Sequence, residues 1–189
     1  MGQREFKTAI FLIISIFLVH SFYLFFITPI SNEILSIASE NKTTIPRNIF
    51  VILKDIEQEI CLILFFWSLM YLIDKQFSYS KLLKGEGKEK LSRSNLDRIF
   101  EIDLSLTRYI SWAIPSIGFI GTVRGIGEAL SKASEALAGD ISGMTDSLGV
   151  AFNSTFVALF LSIFLVMLIN LSENMQDKLI LKIKNNNEA

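Results

Sequence analysis

The amino-acid sequence predicts an all-α integral membrane protein with four transmembrane helices, of which the second is short and the inner ones extend into the cytoplasm. Apolar residues make up 51% of the 189 positions, and the mean hydropathy is +0.46. Two stretches carry no charge, Thr8 to Asn32 with 25 residues and Ser147 to Ser172 with 26. Each exceeds the roughly 20 residues that a helix needs to span a bilayer.

The first transmembrane helix is predicted within residues 1–32, after a short basic tail. A small-residue pattern at 36–38 is also compatible with a signal-peptide cleavage site, but the apolar run is longer than the usual ~7–15 residues of such a segment. Residues 33–59 are predicted to form a polar connection. Residues 60–73 are the second transmembrane helix, with only 14 uncharged positions.

The second half of the chain divides into a cytoplasmic helical segment at 74–108, a transmembrane hairpin at 109–172 and a C-terminal tail at 173–189. Only the 15 residues from Tyr109 to Val123 are uncharged in the first helix of the hairpin. This helix is long enough to span if the side chain of Arg124 reaches towards the interface. The hairpin turn is predicted at 139–140, where glycine is followed by aspartate.

Basic residues are distributed unevenly among these segments. The N-terminal tail, the 74–108 segment and the C-terminal tail hold 13 of the 18 Lys and Arg residues. Because basic residues favour the cytoplasmic side, both termini are expected in the cytoplasm and residues 33–59 in the periplasm. A net charge of −1 gives no reason to expect nucleic acid as a partner. The sequence has no metal-ligand spacing, phosphate loop or nucleophile–base pair, so we expect neither an enzyme nor a bound metal or cofactor.

Small and hydroxyl-bearing residues recur at steps of three or four along both hairpin helices, which puts them on one face of each helix. Such faces let membrane helices approach closely and let hydroxyl groups pair. At 1.5 Å per residue, Thr122 and Thr155 lie roughly 20–22 Å from the inner ends of their helices, hence at the same depth. The pattern predicts a face for a partner or a channel, composed of Ser111, Pro115, Gly118, Gly121, Gly125, Ser147, Ala151, Ser154, Ala158 and Ser162.

Each polar feature also has a purely structural interpretation. Thr122 and Thr155 are either packing residues or hydroxyl groups of an ion pathway, and their equal depth favours the pathway. Arg124 and Glu128 are either an ion pair at the outer interface or charged groups at a channel mouth. Histidine is a residue type that can relay protons, but His20 has no acidic neighbour within one turn, so packing or interface exposure is favoured over a relay.

The cores of the predicted spans contain no Asp or Glu. A proton path normally needs a group that binds and releases the proton inside the membrane. If this chain conducts protons, the carboxylate must therefore come from another chain. A small transporter with its own substrate site is disfavoured, because the sequence has neither an inverted repeat nor a pair of broken helices.

The string IPSIGFIGTVRGI, from Ile114 to Ile126, resembles the signature of the MotA/TolQ/ExbB proton channel family. Thr155 agrees with this, because it lies in a small-residue helix that ends at Asn170 with a spacing like that of the family's last span. Two family threonines map onto Thr122 and Thr155. The family usually has a large aromatic residue where this chain has Arg124, and often an acidic residue where it has Val150.

The resemblance implies a ring of this chain, usually a homopentamer, in the inner membrane of a bacterium. The ring would surround a dimer of a single-span protein of the MotB/TolR/ExbD type, which supplies an essential Asp. Ion flow past Thr122 and Thr155 would then drive mechanical work through this partner. The alternative is a non-conducting membrane scaffold that packs through its small-residue helix faces.

Overall fold

The computed structural model describes the backbone of residues 3–41, 48–83 and 93–188, and the side chains of 5–38, 40–41, 48–81 and 98–181. The all-α prediction is confirmed for these residues, whose regular structure is entirely helical. The elements are α1 (Gln3–Phe22), a π-helical segment (Tyr23–Ile27), α2 (Thr28–Glu40), α3 (Ile49–Ile52), α4 (Ile56–Leu83), α5 (Arg93–Ser131), α6 (Ala133–Leu137) and α7 (Ser142–Glu188).

The π-helical segment lies between α1 and α2, just before Pro29. In a regular α-helix the proline ring clashes with the carbonyl four residues earlier, here that of Phe25. A π-helical turn accommodates this local disruption, so the chain stays helical as far as Glu40. The helix therefore continues past Asn32, where the first span was predicted to end. A charged residue limits an apolar run, but it does not end a helix.

Helices α4, α5 and α7 pack together as a three-helix bundle, and α1 packs on α4. Helix α4 is antiparallel to α5 and parallel to α7. We call the end of the bundle with the α5–α7 connection and the start of α4 the turn end, and the opposite end the tail end. The core between these ends consists of Cys61, Leu72, Leu104, Ile110, Ile114, Ala158, Leu165 and Ile169.

Two hydrogen bonds and an apolar cluster attach α1 to α4. Trp67 Nε1 donates to the carbonyl of Thr8 at 3.0 Å, and Ser15 Oγ donates to the carbonyl of Ile63 at 2.7 Å. The cluster adds the buried side chains of α1 and the π-helical segment, which recur every four residues: Val19, Tyr23 and Ile27. The first long helix is thus fixed against the bundle along more than half its length.

Three of the described helical stretches are long and apolar enough to cross a membrane: Glu5–Ala38, Ile56–Lys81 and Ser142–Leu181. The predicted second span, 60–73, lies within the second of these stretches and is considerably shorter than its helix. The span predicted to begin at Tyr109 lies in α5, which is not among the three. A fourth crossing therefore stays a prediction.

The predicted segment at 74–108 is divided between the end of α4 and the start of α5. Residues 1, 2, 42–47, 84–92 and 189 lie outside the described backbone, so the centre of this segment and part of the 33–59 connection do as well. The side chains of Arg4, Lys182 and Lys184, which contribute to the predicted orientation, also lie outside the described residues.

Candidate functional site

The contact between α5 and α7 is built from glycines that face small side chains. A Cβ added at Gly118 would lie 2.3 Å from Ala158 Cβ, and one added at Gly121 would lie 2.6 Å from Ser154 Cβ. Gly125 repeats this relation one turn further along, against Ala151. Because real Cβ atoms do not approach so closely, only glycine permits this spacing of the helix axes.

This contact lies within one chain, and a role of the small-residue face towards a partner or a channel stays a prediction. The two halves of the face are complementary, so α5 and α7 cover each other within one chain. Most of its members are buried, and only Pro115 and Ser162 are half-buried. The buried members are Ser111, Gly118, Gly121, Gly125, Ser147, Ala151, Ser154 and Ala158.

Thr122 and Thr155 face each other at the half-buried edge of this contact, and their hydroxyl oxygens are in hydrogen-bonding contact. Thr122 Oγ1 also lies 3.0 Å from the carbonyl oxygen of Ala151, and Thr155 Oγ1 lies 3.2 Å from that of Gly118. The two threonines therefore lie level with each other on antiparallel helices, as their spacing predicted. The predicted turn is confirmed as well, since Gly139 has a φ of 108°, a conformation that favours glycine.

The threonine pair can hold its two protons in two arrangements. In one, Thr122 donates to Thr155, which donates to the carbonyl of Gly118. In the other, Thr155 donates to Thr122, which donates to the carbonyl of Ala151. A hydroxyl group is both donor and acceptor and rotates freely, so the arrangements interconvert without movement of the backbone. The pair therefore has the chemistry of a short proton relay, although it lacks a group that ionises.

Arg124 lies at the turn end and forms a bidentate hydrogen-bonded ion pair with a carboxylate of α4. Its Nε and Nη2 atoms donate to the two carboxylate oxygens of Glu57, at 2.7 and 2.9 Å, and its Nη1 donates to Glu128 at 2.7 Å. Asp55 contributes a carboxylate oxygen 3.7 Å from Nη2. The predicted pair with Glu128 is present, but the principal partner is Glu57, which the sequence pattern did not reveal.

Two further polar contacts at the turn end involve the first turns of α4. Buried Gln58 donates from Nε2 to Ser154 Oγ at 3.3 Å. His20 Nδ1 lies 2.6 Å from Glu59 Oε1, so this histidine has an acidic neighbour after all, on another helix. Burial raises the pKa of the Asp55 carboxyl, which precedes α4, above its usual value. Several carboxylates are therefore concentrated at the start of α4, where they contact both α1 and the hairpin.

The tail end contains a buried polar network that the sequence also failed to reveal. Asp103 of α5 lies 3.0 Å from Lys75 Nζ and accepts a hydrogen bond from Tyr79 Oη at 2.9 Å. Gln176 of α7 donates to the same tyrosine oxygen at 3.1 Å. All three bundle helices contribute to this network, which adjoins the buried apolar cluster of Tyr79, Phe100 and Leu179.

The described residues contain no group of His, Cys, Asp and Glu side chains that could hold a metal ion.

The model of the MotA/TolQ/ExbB proton channel family matches residues 78–185, more than half of the chain. The chain belongs to the MotA/TolQ/ExbB proton channel family. The resemblance carried by Ile114 to Ile126 is thereby confirmed. Among curated proteins and solved structures, no match was found.

The region that matches the MotA/TolQ/ExbB family contains α5, α6 and nearly all of α7, hence the glycine contact and the threonine pair. This is a family of membrane channels, not of enzymes, and its members form complexes with partner proteins. The match begins at Ser78, so the carboxylates at the start of α4 lie outside it. The family therefore accounts for the hairpin, whereas the partner of Arg124 comes from a part of the chain that the family model does not describe.

Proposed function

We propose that this chain is the ring-forming subunit of a proton or ion channel, which couples an ion gradient to mechanical work through a single-span partner. The observation that supports this most directly is the contact between Thr122 and Thr155, inside the segment that matches the family. In the proposed complex, five copies surround a partner dimer of the MotB/TolR/ExbD type. Each partner helix brings an Asp to the half-buried edge of a hairpin.

In this mechanism the partner's carboxylate binds and releases the proton, and the threonine hydroxyls orient it. A protonated carboxyl donates to one threonine oxygen, and the threonine pair shifts to its other hydrogen-bond arrangement. A deprotonated carboxylate accepts from the same pair. Both states of the carboxyl group thus find a hydrogen-bonding partner inside the membrane, where an unpaired polar group is costly.

The proposed membrane arrangement has four crossings, with both termini in the cytoplasm of a bacterium and the turn end at the periplasmic side of the inner membrane. The positive charge of Arg124 is neutralised by carboxylates, and this supports a membrane crossing by α5. An isolated arginine opposes membrane insertion, but the carboxylates of Glu57 and Glu128 compensate Arg124 here. The exposed faces of the hairpin are also suited to lipid or a neighbouring subunit: they include Tyr109, Trp112, Phe119, Phe152, Phe156 and Phe160.

A non-conducting scaffold is the second candidate, and one observation favours it. The small-residue faces of α5 and α7 cover each other, which is also what a structural helix pair requires. The two candidates differ in what they require of the threonine hydroxyls. A scaffold needs only their volume, whereas a relay needs their protons.

Replacing Thr155 with alanine separates the two functions. The loss of a hydrogen bond between membrane helices costs about 0.6 kcal/mol on average, too little to dissolve a ring. We therefore expect a near-normal yield of the complex but strongly reduced proton flux. Thr155→Ser keeps the hydroxyl group and should have a milder defect. Ser116→Ala is the matched control, because this exposed hydroxyl bonds only within its own helix, to the carbonyl of Trp112.

The measurement uses the chain co-purified with the product of the adjacent gene, which we expect to encode the single-span partner. Native mass spectrometry gives the number of copies, and a pH-sensitive dye in liposomes gives the proton flux. Wild-type flux from the Thr155→Ala complex would contradict the relay and support the scaffold. A monomer under mild conditions would contradict the ring.

A further inference from the structure

The start of α4 fits against a specific site on α5. The carboxylate of Glu57 receives two parallel N–H groups from Arg124, a bidentate geometry that favours one relative orientation of the side chains. One turn earlier, Gly121 leaves room for the stem of Glu57: a Cβ added there would lie 3.2 Å from Glu57 Cγ. The glycine and the arginine of α5 thus form a socket for one acidic side chain of α4.

This pairing fixes the direction in which the cation points. Arg124 follows Thr122 by two residues, which is about 200° around a helix with 3.6 residues per turn. The guanidinium accordingly lies against α4, on the side of α5 away from the threonine pair. Arg124 has two other carboxylate partners. Glu128 belongs to the same helix and has a side chain that is 47% exposed, whereas that of Glu57 is only 8% exposed. Asp55 precedes α4 but lies farther away, 3.7 Å from Nη2, whereas Glu57 accepts hydrogen bonds at 2.7 and 2.9 Å. Glu57 is therefore the principal partner that holds Arg124 on the α4 side.

We propose that Glu57 is a positioning residue of the ion pathway, which neutralises Arg124 and keeps its positive charge away from the edge where Thr122 meets Thr155. This inference rests on the proposed function, because a positive charge near the path matters only if cations pass there. An arginine side chain is long and flexible enough to explore other directions when its main partner is lost. Its charge, then compensated only by Glu128 and the more distant Asp55, would repel a cation or proton approaching the threonine pair.

Four variants of the whole complex test this proposal: Glu57→Gln, Arg124→Gln, the double variant, and Glu135→Gln as a control at an exposed carboxylate of α6. Two quantities are measured for each. One is the midpoint of thermal unfolding of the chain in detergent. The other is proton flux into liposomes, divided by the amount of assembled complex.

We expect Glu57→Gln to lower the flux per complex about fivefold, the effect of roughly one unit charge acting over a short distance in hydrated surroundings. Arg124→Gln should not lower it, since this change removes the cation. The double variant should recover most of the wild-type flux. In the unfolding midpoints, the double variant should lose less than the two single variants together, because the residues act as a pair. The control should change neither quantity.

The opposite outcomes overturn the proposal. Wild-type flux per complex from Glu57→Gln would mean that the pair only holds helices together. A double variant as impaired as Glu57→Gln would exclude an effect through Arg124, and additive changes in the midpoint would exclude the pair itself. A wild-type complex without any flux contradicts the proposed function and with it this role, and it is recognised by the absence of flux from every variant, whatever the unfolding midpoints show.

Discussion

The two ends of the bundle join the same three helices by different means. At the turn end, the cation is partly open to solvent although its main partner is buried: the Arg124 side chain is 39% exposed and that of Glu57 is 8% exposed. At the tail end, the charges lie inside: the side chain of Asp103 is 3% exposed and that of Lys75 is 12% exposed. Water can therefore compensate a cation that has lost its partner far better at the turn end than at the tail end.

The difference in the exposure of the charged side chains indicates which interactions stabilise each end. Close approach of two backbones gives the turn end its stability through many small van der Waals contacts. The tail end has bulky side chains beside a buried polar network, and we expect the network to favour one arrangement of them. Breaking a buried ion pair is costly, so we expect the tail end to be more sensitive to single substitutions.

The largest effect is expected from Asp103→Asn. This variant removes the carboxylate that lies 3.0 Å from Lys75 Nζ, and breaking a buried ion pair typically costs about 3–5 kcal/mol. The free energy of unfolding in detergent should fall by that amount, as measured by titration with a denaturing surfactant. Glu101→Gln, at an exposed carboxylate on the same helix, should change it by no more than about 0.5 kcal/mol.

A second variant distinguishes the loss of the ion pair from general damage to the fold. In Lys75→Met/Asp103→Leu, both charges are replaced by apolar groups of similar size, which is often nearly neutral in stability. The double variant should therefore be more stable than Asp103→Asn alone. Equal losses from both would mean that the charges do not act as a pair, and the contrast between the ends would disappear.

The next largest effect is expected in the contact between α5 and α7. Gly118→Ala introduces a methyl group where Ala158 already lies, and overpacking of this kind costs about 1–3 kcal/mol. Gly127→Ala is the matched control on the same helix, since a Cβ there meets nothing within 4 Å. Alanine is the better helix former, so the control should gain about 0.5–1 kcal/mol. Opposite signs in the same unfolding measurement would support the contact, and equal signs would contradict it.

The smallest effect is expected at Asp55, and it depends on pH. Because burial raises the pKa of this carboxyl, the folded chain binds its proton more tightly than the unfolded chain does. The charged form therefore destabilises the fold at neutral pH, and this penalty disappears as the pH falls below the unfolded pKa.

Asp55→Asn removes the penalty and keeps a side chain that can begin a helix. Its unfolding midpoint should exceed that of the wild type slightly at pH 7 and should match it near pH 3.5. An advantage that is equally large at both pH values would exclude titration of this carboxyl as the cause. Asp177→Asn, at an exposed position of α7, serves as the control.

The sequence was most informative where one helix repeats a pattern along a single face. The steps of three and four residues located the contact between α5 and α7, and the depths of Thr122 and Thr155 followed from the rise per residue. The partner of Arg124 could not be found in this way, because Glu57 lies 67 residues earlier and belongs to a different helix. The same holds for His20 with Glu59, whose pairing depends on how α1 packs on α4.

Helix ends were also poorly predicted, for a related reason. Charges such as Glu33 and Asp74 limit the apolar runs from which membrane spans are predicted, yet the helices continue past them. One weak signal for the turn-end carboxylates was available in the sequence. Asp55, Glu57 and Glu59 occupy alternate positions at the start of an apolar helix, where acidic residues interact favourably with the helix dipole.

The packing of the small-residue faces of α5 and α7 against each other has a consequence for biosynthesis. In the proposed four-span arrangement, α5 leaves the ribosome first and is the less apolar of the two, with a glycine-rich face that attracts lipid poorly. Helix α7 follows after a short connection and is among the strongly apolar helices of the chain. The two helices should therefore enter the bilayer as a pair, and the insertion of α7 should favour the insertion of α5. Separating them by a long polar insertion at Gly139 should leave α5 outside the membrane.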